Sequence, residues 1–393
     1  MLALALLAGM PPAAGAATIS LNPGNDLQTV IRGAASGDII SLTADYTYRR
    51  GLEIDGKNIT FALNGHNLSI ANDTGAGLSG IGLLVHGGSK VDYTGAGSFK
   101  VSFASATTNG LALDVEDKHS SCTLTGVQLD AAGGGNAIYS DLHASVTVHG
   151  NVSAQGAGNR GVFAQGGSTV TVNGHVTAAS GHGVDAENAG TSITVNGNVS
   201  VLSGHHLDAI YGDSGASVTV NGNVSAGGSA GSVIWGIEAH DGATIAVTGG
   251  MTIADGGIYA ERGAKITVGG PVNAKFTAET PAGVDAEDGA TILLGSNLTV
   301  TTAGPGYAGA AAHNGSAVTI DGTLAATPNY IDINSTILTA ADITSPTAKS
   351  GYDTYTDGNA TVWVKATANG NENGNSHPPP HRGGARDNGR RGR

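Results

Sequence analysis

Seven residues recur at one position of a repeated phrase: Tyr139, Phe163, Asp185, Tyr211, Glu238, Tyr259 and Asp285. The phrase reads Gly161-Val162-Phe163-Ala164, Gly183-Val184-Asp185-Ala186, Gly236-Ile237-Glu238-Ala239, Gly257-Ile258-Tyr259-Ala260 and Gly283-Val284-Asp285-Ala286. Rings mixed with carboxylates in one column suit sugars, which stack on aromatic faces and hydrogen-bond to acids. Tyr139, Phe163, Tyr211 and Tyr259 are the candidate ligand-binding residues. Asp185, Glu238 and Asp285 are the candidate catalytic acids, because two carboxyl groups can act as general acid and base on a glycosidic bond. If successive phrases stack as neighbouring strands, Asp185 and Glu238 stand two strands apart, about 9–10 Å. That is the upper edge of the separation for inverting hydrolysis. The plainer alternative is a solvated sheet face, with Tyr and Phe present as strand formers.

A second column follows two residues later: Gln165, Glu187, Asp213, His240, Glu261, Glu287 and His313. Its acids explain part of the negative charge and could attract Ca²⁺ weakly. No calcium-loop motif is present, and the histidines lack zinc-type spacing: His205 and His206 are adjacent, and His377 and His381 flank three prolines. The expectation is therefore no metal site and no cofactor. Cys122 is the single cysteine, so no intrachain disulfide forms, and no nucleophile signature surrounds it.

The columns exist only if the chain folds as a repeat. A second phrase, V-x-G-x-V, recurs with centres at Gly150, Gly174, Gly197 and Gly222, and weaker copies at Gly249, Gly270, Ser296 and Gly322. A period near 25 residues marks a solenoid. Segments such as Ser168-Thr169-Val170-Thr171-Val172 alternate with period 2, and no helical periodicity interrupts them. The predicted fold is all-β: a parallel β-helix, one coil per repeat, about 14 coils spanning roughly 65 Å at the strand spacing. Val162, Ala164, Val170 and Val172 should point inward, with Val184, Ala186, Ile193 and Val195 stacked on them. Asn173, Asn196 and Asn221 share a turn position and can form an amide ladder, and the glycines are expected at turns with positive φ.

Before the array, Asn25-Asp26-Leu27-Gln28-Thr29-Val30-Ile31 reads as a short helix, Gly37-Asp38-Ile39-Ile40-Ser41-Leu42 as a strand and Lys57–Leu63 as another. This arrangement resembles the N-terminal cap and first coils of right-handed β-helix proteins of the pectate-lyase-like superfamily. The repeat-rich part looks most like noncatalytic bacterial surface and autotransporter-type passengers. The resemblance covers roughly Thr18 to Val364. Lyases of that superfamily carry an R-x-P-x-x-R pattern, absent here. Val233-Ile234-Trp235-Gly236-Ile237-Glu238-Ala239-His240 only loosely matches their W-I-D-H phrase. Of the polygalacturonase phrases only Gly181-His182-Gly183 is present, which makes His182 a further, weaker candidate.

The 393 residues include 64 glycines, with 4% aromatic and 12% charged side chains, while 40% are hydrophobic, enough to build a core. The formal net charge is −13; the segment from His377 carries +4, leaving −17 on the rest. Such a body repels nucleic acid and anionic membrane surfaces, and no apolar run is long enough for a membrane span. Leu2–Met10, Pro11-Pro12 and Ala14-Gly15-Ala16 read as a secretory leader over residues 1–17. Residues 18–366 should form the β-helix: cap and irregular coils at 18–135, regular repeats at 136–324, and final coils with a cap at 325–366. Residues 367–393 should be a basic disordered tail. Together these features suggest an exported bacterial structural or adhesin-like protein, secreted or at the cell surface, whose partner is an extracellular glycan or surface protein. The alternative is a lyase or hydrolase acting on acidic polysaccharide. Small-angle scattering should report an elongated monomer; a compact sphere would exclude the solenoid.

Overall fold

The computed structural model describes residues 15–74, 77–105, 109–203, 208–227, 235–275, 282–301, 307–327 and 329–367. Most of the leader, His205-His206, Val233-Ile234 and the tail from 368 lie outside them. The described chain winds as a right-handed parallel β-helix. Each coil contributes one strand to each of three sheets, of 15, 12 and 13 strands. In the regular region one coil runs through Ser192–Val195 in the first sheet, Val199–Val201 in the second and Ile210–Gly212 in the third. Every pairing between successive coils is parallel; the antiparallel pairings are confined to the C-terminal end.

The inward assignments hold. Val170 pairs with Ile193 and Val172 with Val195, Val162 with Val184 and Ala164 with Ala186, and all eight are fully buried. The second sheet adds Val176, Ala178, Val199 and Val201 as the third wall. Burying a Val or Ile side chain contributes roughly 1.5–3 kcal/mol, and several per coil offset the cost of ordering a glycine-rich backbone.

The turn between the first and second sheets is narrower than positive φ alone would require. Gly174, Gly197 and Gly222 do not have positive φ. A Cβ at Gly197 would lie 2.4 Å from the Gly174 carbonyl oxygen, and one at Gly222 2.4 Å from that of Gly197. Glycine is needed there because one coil's backbone rests on the next. The amide ladder runs beside it: Asn196 Nδ2 donates to Asn173 Oδ1 and Asn221 Nδ2 to Asn196 Oδ1, each at 2.7 Å. A second ladder, unforeseen from sequence, lies two residues on. Asn151 Oδ1, His175 Nδ1, Asn198 Oδ1 and Asn223 Oδ1 each accept from a backbone N–H of the next coil at 2.9 Å.

Both ends are closed. Leu27–Gly33 forms the helix, Asp26 accepts from the Thr29 N–H, and Leu27 and Ile31 cover the first coils. Lys57 Nζ donates to the Ile31, Arg32 and Ala34 carbonyls at the helix end. At the other end Tyr352–Thr356 folds back antiparallel on Thr361–Lys365, and Tyr355 is buried against Tyr330, ring centroids 5.8 Å apart. Trp363 does not join this plug: it faces outward beside Tyr352, with Lys349 over both rings.

Val172→Asp should cost several kcal/mol in urea unfolding, because it buries an unpaired carboxylate between stacked coils. Thr171→Asp, on the outer side, should leave the midpoint nearly unchanged. Equal losses would contradict the inward and outward faces described above.

Candidate functional site

The third sheet lines up the phrase residues in strict register. Tyr139 pairs with Phe163, Phe163 with Asp185, Asp185 with Tyr211, Tyr211 with Glu238, Glu238 with Tyr259 and Tyr259 with Asp285. The column is longer than sequence reasoning found. Asp114 precedes Tyr139, and Ala311 and Asp332 follow Asp285.

Its acids are not on a solvated face. Asp114, Asp185 and Asp285 are 4%, 1% and 0% exposed, whereas Tyr139, Phe163, Tyr211, Glu238 and Tyr259 are half-buried. A short acid beside long rings is overhung by them. Burial pushes Asp114 up to about 8, helped by Glu116, and one of its oxygens has no hydrogen-bond partner. Burial likewise pushes Asp185 up to about 7, although Arg160 Nη1, 3.2 Å from Asp185 Oδ2, works against the shift. Arg160 also lies over the Phe163 ring, 4.6 Å from its centroid.

Asp185 and Glu238 are separated by the Tyr211 strand, as expected. The carboxyl groups that meet are different ones. Asp208, 4% exposed and three residues before Tyr211, feels the charge of Glu238. Burial first, and Glu238 second, hold Asp208 well above the ordinary carboxylate range. His182, one coil before Asp208, accepts the Asp208 backbone N–H at Nδ1 at 3.3 Å. Burial, followed by the charge of Arg160, lowers its pKa to about 4, so the ring is neutral. The Gly-His-Gly histidine therefore does belong to the cluster.

The second column closes the site from the other side. His240 Nε2 lies 2.6 Å from Glu238 Oε1 and its Nδ1 2.7 Å from Glu261 Oε1. Burial opposes charge on His240, but hydrogen bonds to the two glutamates outweigh it and raise its pKa. Tyr259 Oη donates to Glu261 at 2.8 Å, and Arg262 pairs with Glu261 and Asp241. Rings are packed between these acids: Tyr211 lies 5.7 Å from His182 and 5.6 Å from His240, and Trp235 stacks on Tyr259 at 5.2 Å and 28°. Tyr139 sits apart, receiving a hydrogen bond from Gln165 and donating to Asp141, with its pKa pushed to about 12 chiefly by burial.

Asp285 lies one strand beyond Tyr259, at the edge of this cluster. It joins Glu287 and His313, whose ligand atoms all lie within 4.8 Å of one another. Asp285, Glu287 and His313 are thus a group of metal-ligating type. Spacing rules missed it because its members come from adjacent coils, as did Arg160, His182, Asp208 and Trp235 in the main cluster.

No protein-family model, no curated protein and no solved structure matches this chain.

A carboxyl whose pKa is raised by folding stabilises the protein fully below its unfolded value, and that stability is lost as pH rises through the folded value. Asp114, at about 8, and Asp185, at about 7, should therefore lower the melting temperature progressively between about pH 4 and pH 8. At about 1.4 kcal/mol per pH unit, Asp114 alone accounts for about 2–3 kcal/mol of the fall between about pH 6 and 8. Asp114→Asn should flatten this fall in thermal melts; an unchanged slope would mean Asp114 is ionised in the native state.

Proposed function

We propose that this is an exported, β-helical surface protein that holds glycan chains along the outer face of its third sheet. The observation that carries the proposal is the ring-and-acid column centred on Tyr211, Trp235, Glu238 and Tyr259. Half-buried rings offer stacking faces, and the carboxylates of Glu238 and Glu261 offer acceptors for sugar hydroxyls. The elongated sheet gives a polymer several equivalent registers. Acids outnumber Arg160 and Arg262 along this face, which favours a neutral glycan over an acidic one. On its parallel β-helix and N-terminal helix, we further propose a kinship with the pectate-lyase-like superfamily and with autotransporter-type passengers.

A second reading, hydrolysis, rests on the Asp208–Glu238 pair. A buried acid held above the ordinary carboxylate range beside a second carboxyl group is the arrangement that general acid–base cleavage of a glycosidic bond uses. In that reading Asp208 is the proton donor, and Asp185, poised near neutrality, is the candidate base.

Tyr211→Ala and Trp235→Ala should each weaken binding to a glycan selected from an array by about 1–2 kcal/mol, roughly 5–30-fold in Kd. Thr171→Ala, on the first sheet, should leave binding unchanged. If the site is hydrolytic, Asp208→Asn should abolish reducing-end release while retaining affinity. Retained affinity in both ring variants would remove the glycan proposal.

A further inference from the structure

The main column breaks its pattern near the C-terminal end. Asp285 lies in Ala282–Ala286, Ala311 in Ala308–Ala312 and Asp332 in Asn329–Ile333, and the three residues pair in register on successive coils. Ala311, itself buried, stands between the two acids in the column. A surface depression forms there, lined by Asp285, Glu287, His313, Asn314, Asp332 and Asn334.

Asp285 is fully buried, and neither of its carboxylate oxygens has a hydrogen-bond partner. Oδ1 of Asp332 is also buried and unpartnered. A carboxylate withdrawn from water without donors costs several kcal/mol unless a proton or a cation compensates it. The group nearest Asp285 is His313, whose Nε2 lies 3.7 Å from Asp285 Oδ1. That is too long for a hydrogen bond. It does suit two ligands of one ion: with bonds of about 2.0–2.2 Å, ligand atoms on a common cation stand roughly 3–4 Å apart. Glu287 adds a carboxylate within the same 4.8 Å cluster, and Tyr259 Oη donates to its Oε2 at 3.2 Å, orienting it.

We propose that Asp285, Glu287 and His313, with Asp332 facing them across Ala311, form a divalent transition-metal site that clamps the last coils together. The imidazole decides the class of ion. Calcium takes six to eight oxygen ligands, whereas a histidine nitrogen with carboxylates suits zinc and its first-row neighbours. The ligands come from separate coils, so the ion would cross-link strands held otherwise by backbone hydrogen bonds and a narrow core. None of Asp285, Glu287, His313 and Asp332 carries the glycan reading, and only Tyr259, through its hydrogen bond to Glu287, adjoins both sites.

The test uses the full chain, stripped with a chelator and dialysed against micromolar Zn²⁺. Wild type should retain one more zinc per chain than Asp285→Asn and His313→Gln, and zinc should raise its melting temperature but not theirs. Glu287→Gln should weaken the zinc affinity at least tenfold. His313 and Glu287 are half-buried, so their variants keep the test valid if Asp285→Asn fails to fold. Because His205, His206, His377 and His381 are present in every variant, zinc held by them cancels in the comparison. Equal zinc content and equal thermal shift in wild type and His313→Gln would overturn the site. So would binding of Ca²⁺ at these residues without Zn²⁺.

Discussion

The parallel register between successive coils ties each residue to its counterpart one repeat earlier. Backbone hydrogen bonds fix that spacing near 4.8 Å, and the rest of the structure follows from it. A valine can be buried in one coil only if a similar side chain lies above and below it, as Val172 does between Val148 and Val195. Turn glycines must lack a Cβ because backbones touch at Gly174, Gly197 and Gly222. Asn173, His175, Asn196 and Asn221 find their side-chain partners in neighbouring coils. Stability is thus assembled from nearest-neighbour terms, and the short helix and the Tyr355 plug close the two open ends.

The same register turns an outward strand position into a continuous column, and the column changes the chemistry of its members. An aspartate alone on a strand would be hydrated and ionised at neutral pH. Placed between Phe163 and Tyr211, Asp185 loses most of its water, and its proton is held up to about 7. Asp208 goes further, because burial is joined by the carboxylate of Glu238. His182 and His240 diverge for the same reason: one is buried near Arg160 and neutral, while the other bridges two glutamates that raise its pKa. One sheet face therefore holds acids and bases in different protonation states, which a solvated face of the same composition would not.

Two regions of this face differ in what fills the space beside the acids. Around Tyr211 and Trp235, rings occupy it and present stacking surfaces. Around Ala311, Asp285 and Asp332 keep oxygens without donors. The first region suits an organic ligand with hydroxyl groups, and the second suits a compact cation.

The sequence by itself determined the β-helix, its inward valines, the Asn173–Asn196–Asn221 ladder and the alignment of the ring-and-acid column. All of these depend on periodicity, which is written along the chain. The tertiary structure decided which column members meet and how deeply each is buried. Asp208 pairs with Glu238, and Asp285 with Glu287 and His313, through side chains from neighbouring columns on adjacent coils. Such diagonal contacts depend on side-chain length and on which neighbour overhangs which. Repeat spacing fixes the backbone position of every coil but says nothing of either.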